Sequence, residues 1–155
     1  MHTRSPLILT APLLLAALAW AKPTAAQVAV TYFPFQSVLG VASDTERRLW
    51  VGVNAETNTF LSNVNLEWQG MANLKKGEWV NYYAGLGVNT NPLAAINELP
   101  LVNGYSFTAG ARIKPFANYR HVQVVFEVAP YANAYFDGGT LRTLLGLAYN
   151  FRRRD

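Results

Sequence analysis

From Glu78 to Thr90 the chain reads "EWVNYYAGLGVNT", and its residues change character at every step. Val80, Tyr82, Ala84, Leu86 and Val88 alternate with Asn81, Tyr83, Gly85, Gly87 and Asn89. A period of two puts successive side chains on opposite faces of an extended strand, so the segment is built to separate two environments. The same alternation recurs along the chain. Tyr105, Phe107, Ala109, Ala111 and Ile113 stand opposite Gly104, Ser106, Thr108, Gly110, Arg112 and Lys114. Val122, Val124, Phe126 and Val128 stand opposite His121, Gln123, Val125 and Glu127. Val64, Leu66 and Trp68 oppose Asn63, Asn65, Glu67 and Gln69, while Leu49, Val51 and Val53 oppose Arg48, Trp50, Gly52 and Asn54. In "LRTLLGLAYNF" the face of Leu141, Thr143, Leu145, Leu147, Tyr149 and Phe151 opposes that of Arg142, Leu144, Gly146, Ala148 and Asn150. No comparable stretch beyond residue 26 argues for a long helix, and the fold class is all-β.

Short turn signals punctuate these runs at 43–47, 56–59, 74–78, 116–120 and 136–139, and one longer connection, "NTNPLAAINELP", spans 89–100. Counting back from the C-terminus predicts strands near 140–151, 120–134, 102–114, 78–88, 60–72 and 47–56. The stretch 27–43 is one long strand or two short ones hinged at Pro34. Proline favours a break or an edge, so two are predicted and the count is eight.

Ahead of the strands, "MHTRSPLILTAPLLLAALAWAKPTAAQ" has Arg4, an apolar run from Leu7 to Trp20, and small residues suited to cleavage after Ala21 or Ala26. That is the order of a secretory signal peptide, so the expected organisation is a signal over 1–26, a barrel domain over 27–151 and a basic tail over 152–155. The chain has no cysteine, and an exported domain of this kind rests on packing and backbone hydrogen bonds. The formal charge of +4 comes from the ends: residues 27–151 hold eight basic and eight acidic side chains. A neutral body gives no electrostatic footprint for nucleic acid, which is excluded as a partner.

The polar face is rich in Asn, Gln, Gly and Ser and poor in Lys, unlike a strand facing water. The apolar face carries Val, Leu, Ala and Phe with no charge in mid-strand, as a lipid-facing band would. Trp68, Trp79, Tyr82, Tyr105, Tyr149 and Phe151 lie toward strand ends, where membrane barrels place aromatic girdles. Alternation alone leaves the opposite sidedness open, that of an exported soluble barrel binding a small apolar ligand.

"GLAYNF", Gly146 to Phe151, resembles the C-terminal signal by which outer-membrane barrels are recognised for insertion: a glycine, then aromatics at alternate positions, Tyr149 and Phe151. Two features depart from that pattern, Leu144 where a polar residue is usual and the tail behind Phe151. With the signal, the strand count and the length, the chain resembles the small eight-stranded outer-membrane barrels of the OmpA/OmpX type. The resemblance implies an antiparallel up-and-down transmembrane barrel in the outer membrane of a Gram-negative-type bacterium. It also implies a plugged lumen, and outer-membrane lipid and the barrel-insertion machinery as partners. An even strand count puts the turns near 44–46, 74–77 and 116–119 on the side of the termini. The 89–100 connection then lies on the outer side with 56–59 and 136–139, the asymmetry such barrels show. Its Asn91, Pro92, Asn97 and Glu98 are the expected outer loop, where a protein partner could dock.

The expected lumen network is Arg48, Arg112 and Arg142 against Glu56, Glu67 and Glu127, with His121 among them. Opposite charges buried together must be paired, and their reading is structural. His121, the one histidine after the signal, and the serines at 37, 43, 62 and 106 form no nucleophile motif. No catalytic, metal or cofactor set is expected. The remaining alternative, a lipid-modifying barrel enzyme, would need His121 near an outer-leaflet serine.

Overall fold

The computed structural model describes residues 27–56, 64–96 and 99–151; the expected signal, the tail, Asn97 and Glu98 lie outside them, as does most of the 56–59 turn. Eight strands follow in chain order: β1 Val28–Phe33, β2 Val38–Ala42, β3 Leu49–Glu56, β4 Leu66–Lys76, β5 Val80–Thr90, β6 Val102–Ile113, β7 Val122–Asn133 and β8 Gly139–Phe151. Each pairs antiparallel with the next, and β1 returns to β8 in the register Val28↔Phe151 to Tyr32↔Leu147. The result is a closed up-and-down barrel with no free sheet edge among the described residues, the start of β1 and the end of β8 side by side at one rim.

The stretch 27–43 is two strands, broken by a turn over 34–37 in which Ser37 takes φ 53°. Proline at 34 cannot donate to a ladder, so the chain reverses there. β4 begins later and runs further than expected, to Lys76. A bulge between Asn73 and Lys75 re-pairs Lys75 with Tyr82 and Lys76 with Asn81, which breaks the alternation and gives "LKKGE" the look of a turn. The actual reversal is Gly77–Trp79, closed by the Gly77 amide on the Val80 carbonyl at 2.9 Å. The long connection contains a short helix, α1 (Pro92–Ile96). Asn91 caps it, its Oδ1 accepting from the Leu93 and Ala94 amides at 3.1 Å, and Pro92 takes the first helical position.

Alternation along the strands sorts into inside and outside. Tyr83, Arg112, Gln123, Val125 and Glu127 are buried in the lumen, while Leu86, Val51, Phe107, Phe126, Leu145 and Leu147 project outward and are exposed. The outward positions form an apolar band around the barrel, ending in Tyr32, Trp68, Tyr82, Tyr105, Tyr149 and Phe151. The lumen is less uniformly polar than its face in the sequence suggested. Ala29, Phe33, Val38, Ala129, Leu144 and Ala148 form an apolar wall on the β1, β2, β7 and β8 side. An eight-stranded barrel has room for side chains and little else, so small and apolar groups fill the space between the polar clusters.

Candidate functional site

The lumen is the candidate site, and its polar groups are layered. Nearest the far rim, Glu67 on β4 accepts from Arg142 Nη2 at 2.8 Å, from Ser106 Oγ at 2.5 Å and from Gln69 Nε2 at 3.3 Å. Gly87 makes this cluster possible: a Cβ there would run into Ser106 Oγ and lie 2.8 Å from Glu67 Oε1. Arg142 also lies over the Tyr131 ring, 5.1 Å from its centroid.

At mid-barrel, the Arg112 guanidinium sits 5.0 Å from the Trp50 ring centroid and 5.5 Å from that of Tyr83. The two rings meet edge to face at 5.4 Å. The Tyr83 hydroxyl donates to Glu127 Oε1 at 2.5 Å. Tyr83 thus spans a buried cation and a buried carboxylate, offering its face to one and its hydroxyl to the other. Gly110 leaves room for the Tyr83 ring, which a Cβ would approach to 2.6 Å.

At the termini-side mouth, Glu46 reaches in from the β2–β3 connection. Its carboxylate accepts from Lys114 Nζ at 2.8 Å, Asn81 Nδ2 at 3.1 Å and Gln123 Nε2 at 3.0 Å. Burial alone would raise the Glu46 pKa, but the Lys114 hydrogen bond and charge, with those of Asn81 and Gln123, outweigh it and hold it below its ordinary value.

Of the residues expected in the lumen, Glu67, Arg112, Glu127 and Arg142 lie inside it. Glu56 ends β3 at the far rim, half-buried, and accepts from Asn65 Nδ2 at 3.2 Å. Arg48 and His121 do not join the network. Arg48 is exposed in the β2–β3 connection, and His121 sits at the mouth with its ring against Tyr119 and Tyr149, at 5.8 and 5.0 Å. Each stands one residue outside its strand, where the ladder no longer dictates which way a side chain points. Ser106 is engaged with Glu67, and Ser43 Oγ accepts from the Val51 amide at 3.1 Å. Among the described residues no group of three or more His, Cys, Asp or Glu could hold a metal.

Of the expected insertion signal, Gly146 faces the lumen on β8, while Tyr149 and Phe151 point outward and pack edge to face at 4.7 Å. Asn91 and Pro92 open the far-rim connection as cap and first residue of α1. Sequence reasoning missed Glu46 and its anchor Asn73. Both act from or upon a connection, where no period marks them.

No protein-family model matches the chain, and no curated protein matches it. Among solved structures, the backbone structure of the Yersinia pestis outer membrane protein Ail in a phospholipid bilayer nanodisc is similar. It is 14% identical, the match covers 81% of this chain and 98% of that one, and the TM-score is 0.43.

Proposed function

We propose that the chain is a non-catalytic barrel of a Gram-negative-type outer membrane, with its exterior in lipid, its lumen plugged, and its far-rim connections offered to a partner. The observation that carries this reading is the sidedness of the wall. Leu86, Val51, Leu141 and Leu147 point out and are exposed, while Arg112, Glu127 and Glu67 are buried within. A water-facing barrel has the reverse arrangement, and an apolar band encircling the molecule far exceeds the few hundred Å² that soluble monomers leave bare. In a bilayer the same band is matched to its surroundings, and a mid-plane Lys or Arg on it would cost about 2–4 kcal/mol. The soluble ligand-binding alternative would need a dry apolar cavity where the charged layers now lie.

The rim with the chain ends then faces the periplasm, with Tyr149 and Phe151 available to the insertion machinery. The far rim faces outward. There Phe35, Tyr135 and Phe136 are exposed, with Phe136 at φ 59° stacked on Tyr105 at 5.6 Å and Asn133 bridging Asp137 and Gly138. Rigid turns holding aromatic side chains in the open, beside α1, favour a protein partner on this side.

The test is electrophoretic mobility in SDS of membrane-extracted protein, unheated against boiled, together with fractionation. A compact fast band that slows on boiling, from protein found in the outer-membrane fraction, is the expected result. Protein free in the periplasm with no shift would overturn the assignment of faces.

A further inference from the structure

The connection Ser43–Arg48 is longer than the two residues that suffice to join antiparallel strands, and it folds into the barrel rather than away from it. Thr45 is 0% exposed. Asn73 Nδ2 on β4 donates to the Thr45 and Arg47 carbonyls at 2.9 and 2.5 Å, and Asn150 Nδ2 on β8 reaches Thr45 Oγ1 at 3.4 Å. The three donors to Glu46 come from β5, β7 and the residue following β6. One six-residue segment is thus pinned by four strands and by Lys114, and Glu46 is the residue whose charged side chain takes three of those contacts. Beside it an open vestibule of about 620 Å³, lined in part by Lys76, Lys114, Asn118 and His121, leaves room for the segment to swing out.

We propose that Ser43–Arg48 is a plug latched into the termini-side mouth by the Glu46 carboxylate, and that loss of that charge releases it into the vestibule and opens this end of the lumen to water. The latch works in both directions. Lys114 is 7% exposed and has Glu46 as its ion-pair partner, so neutralising Glu46 strands a buried ammonium as well as weakening three hydrogen bonds. The other charges near Glu46 do not replace it. Asp44 pairs with Arg47 in the same connection at 3.5 Å, Arg120 pairs with Glu78, and Lys76 and His121 add no negative charge. Because the Glu46 pKa is depressed in the folded chain, the latch is fully closed above the ordinary carboxylate value and is lost as pH falls through the lower folded one. The proposal does not depend on what the exterior face meets.

The chain has no cysteine, which makes single-thiol labelling direct. Thr45→Cys is nearly isosteric, and Ser43→Cys in the same connection is an exposed reference. The reading is the ratio of their rates with a membrane-impermeant maleimide, on folded protein, so that thiol ionisation cancels. At neutral pH Thr45→Cys should label far more slowly than Ser43→Cys. Adding Glu46→Gln should raise the ratio about tenfold or more, since labelling follows the population of the open form. Lys114→Met should raise it too, and acid below the carboxylate range should do so in the native background while leaving the Glu46→Gln background unchanged. A ratio unmoved by both substitutions, in protein that keeps its compact unheated band, would make the connection a static cap and overturn the proposal. Equal labelling of the two thiols in the native background would do the same. Should Glu46→Gln fail to fold, Lys114→Met decides.

Discussion

Arg112→Met is expected to destabilise the folded barrel by about 3–5 kcal/mol, read as a lowered guanidinium midpoint and loss of the compact SDS band at lower temperature. Arg112 is 2% exposed, and removing it leaves the Glu127 carboxylate buried with no cation in its layer. The double variant Arg112→Met, Glu127→Gln should recover most of that loss, because the Tyr83 hydroxyl can donate to the amide oxygen as it does to Glu127 Oε1. Near-neutral outcomes are common when both members of a buried charge set become uncharged groups of similar volume. Arg112→Lys separates the remaining contribution. It keeps the charge but loses the plane that lies over Trp50 and Tyr83, so a deficit of about 1–2 kcal/mol would measure the stacking. If the double variant is as unstable as Arg112→Met alone, Arg112 matters for the shape it wedges between two rings and not for its charge.

How far this core was legible depended on the strand ladder. Tyr83, Arg112, Gln123 and Glu127 fall on one face by period alone, and they are inside because the opposite face of the same strands carries the large apolar side chains that point outward. The assignment weakened at the strand ends. Arg48 precedes Leu49 and His121 precedes Val122, the first residues of β3 and β7; Arg48 turns out to solvent, and His121 stays at the mouth, outside the lumen network. The apolar wall formed by Ala29 and Phe33 was hidden by Pro34, since a break there leaves the parity of 27–43 undefined until β1 is seen paired with β8. Val125, Leu144 and Ala148 did stand as exceptions on the polar face, and they mark that wall. The bulge after Asn73 shifted the phase of β4 and moved an apparent turn by a few residues. Glu46 was out of reach, because nothing in "SDTERR" shows that it folds inward. Its partners are Asn81, Lys114 and Gln123, each far away in sequence and brought together when the barrel closes.

Gly146→Val is expected to prevent closure outright, whereas Phe151→Ala should leave a barrel that closes but is delivered slowly, although both residues belong to the C-terminal stretch we propose as an insertion signal. Gly146 faces inward on β8 beside β1, where an added Cβ would run into the Tyr32 carbonyl oxygen and come within 2.6 Å of the Phe33 ring. One of those obstacles is backbone, so a branched side chain cannot be taken up by a rotamer change and must push β1 off β8. That pairing, Val28↔Phe151 to Tyr32↔Leu147, joins the first and last strands and turns a sheet into a barrel. Overpacking of a buried site costs about 1–3 kcal/mol where neighbours can yield, and here the neighbour that would have to yield is the seam. Phe151 points outward, half exposed and edge-on to Tyr149 at 4.7 Å, so its truncation removes surface contact without disturbing the lumen. Unassisted refolding of purified protein into vesicles separates the two. Gly146→Val should give no compact band there and Phe151→Ala a nearly normal one, while assembly in cells falls for both. Normal refolding of Gly146→Val would mean that the seam can open and reseal around a larger side chain, and the glycine would then matter to recognition alone. Failed refolding of Phe151→Ala would make the terminal aromatic part of the fold itself and not an address read by the insertion machinery.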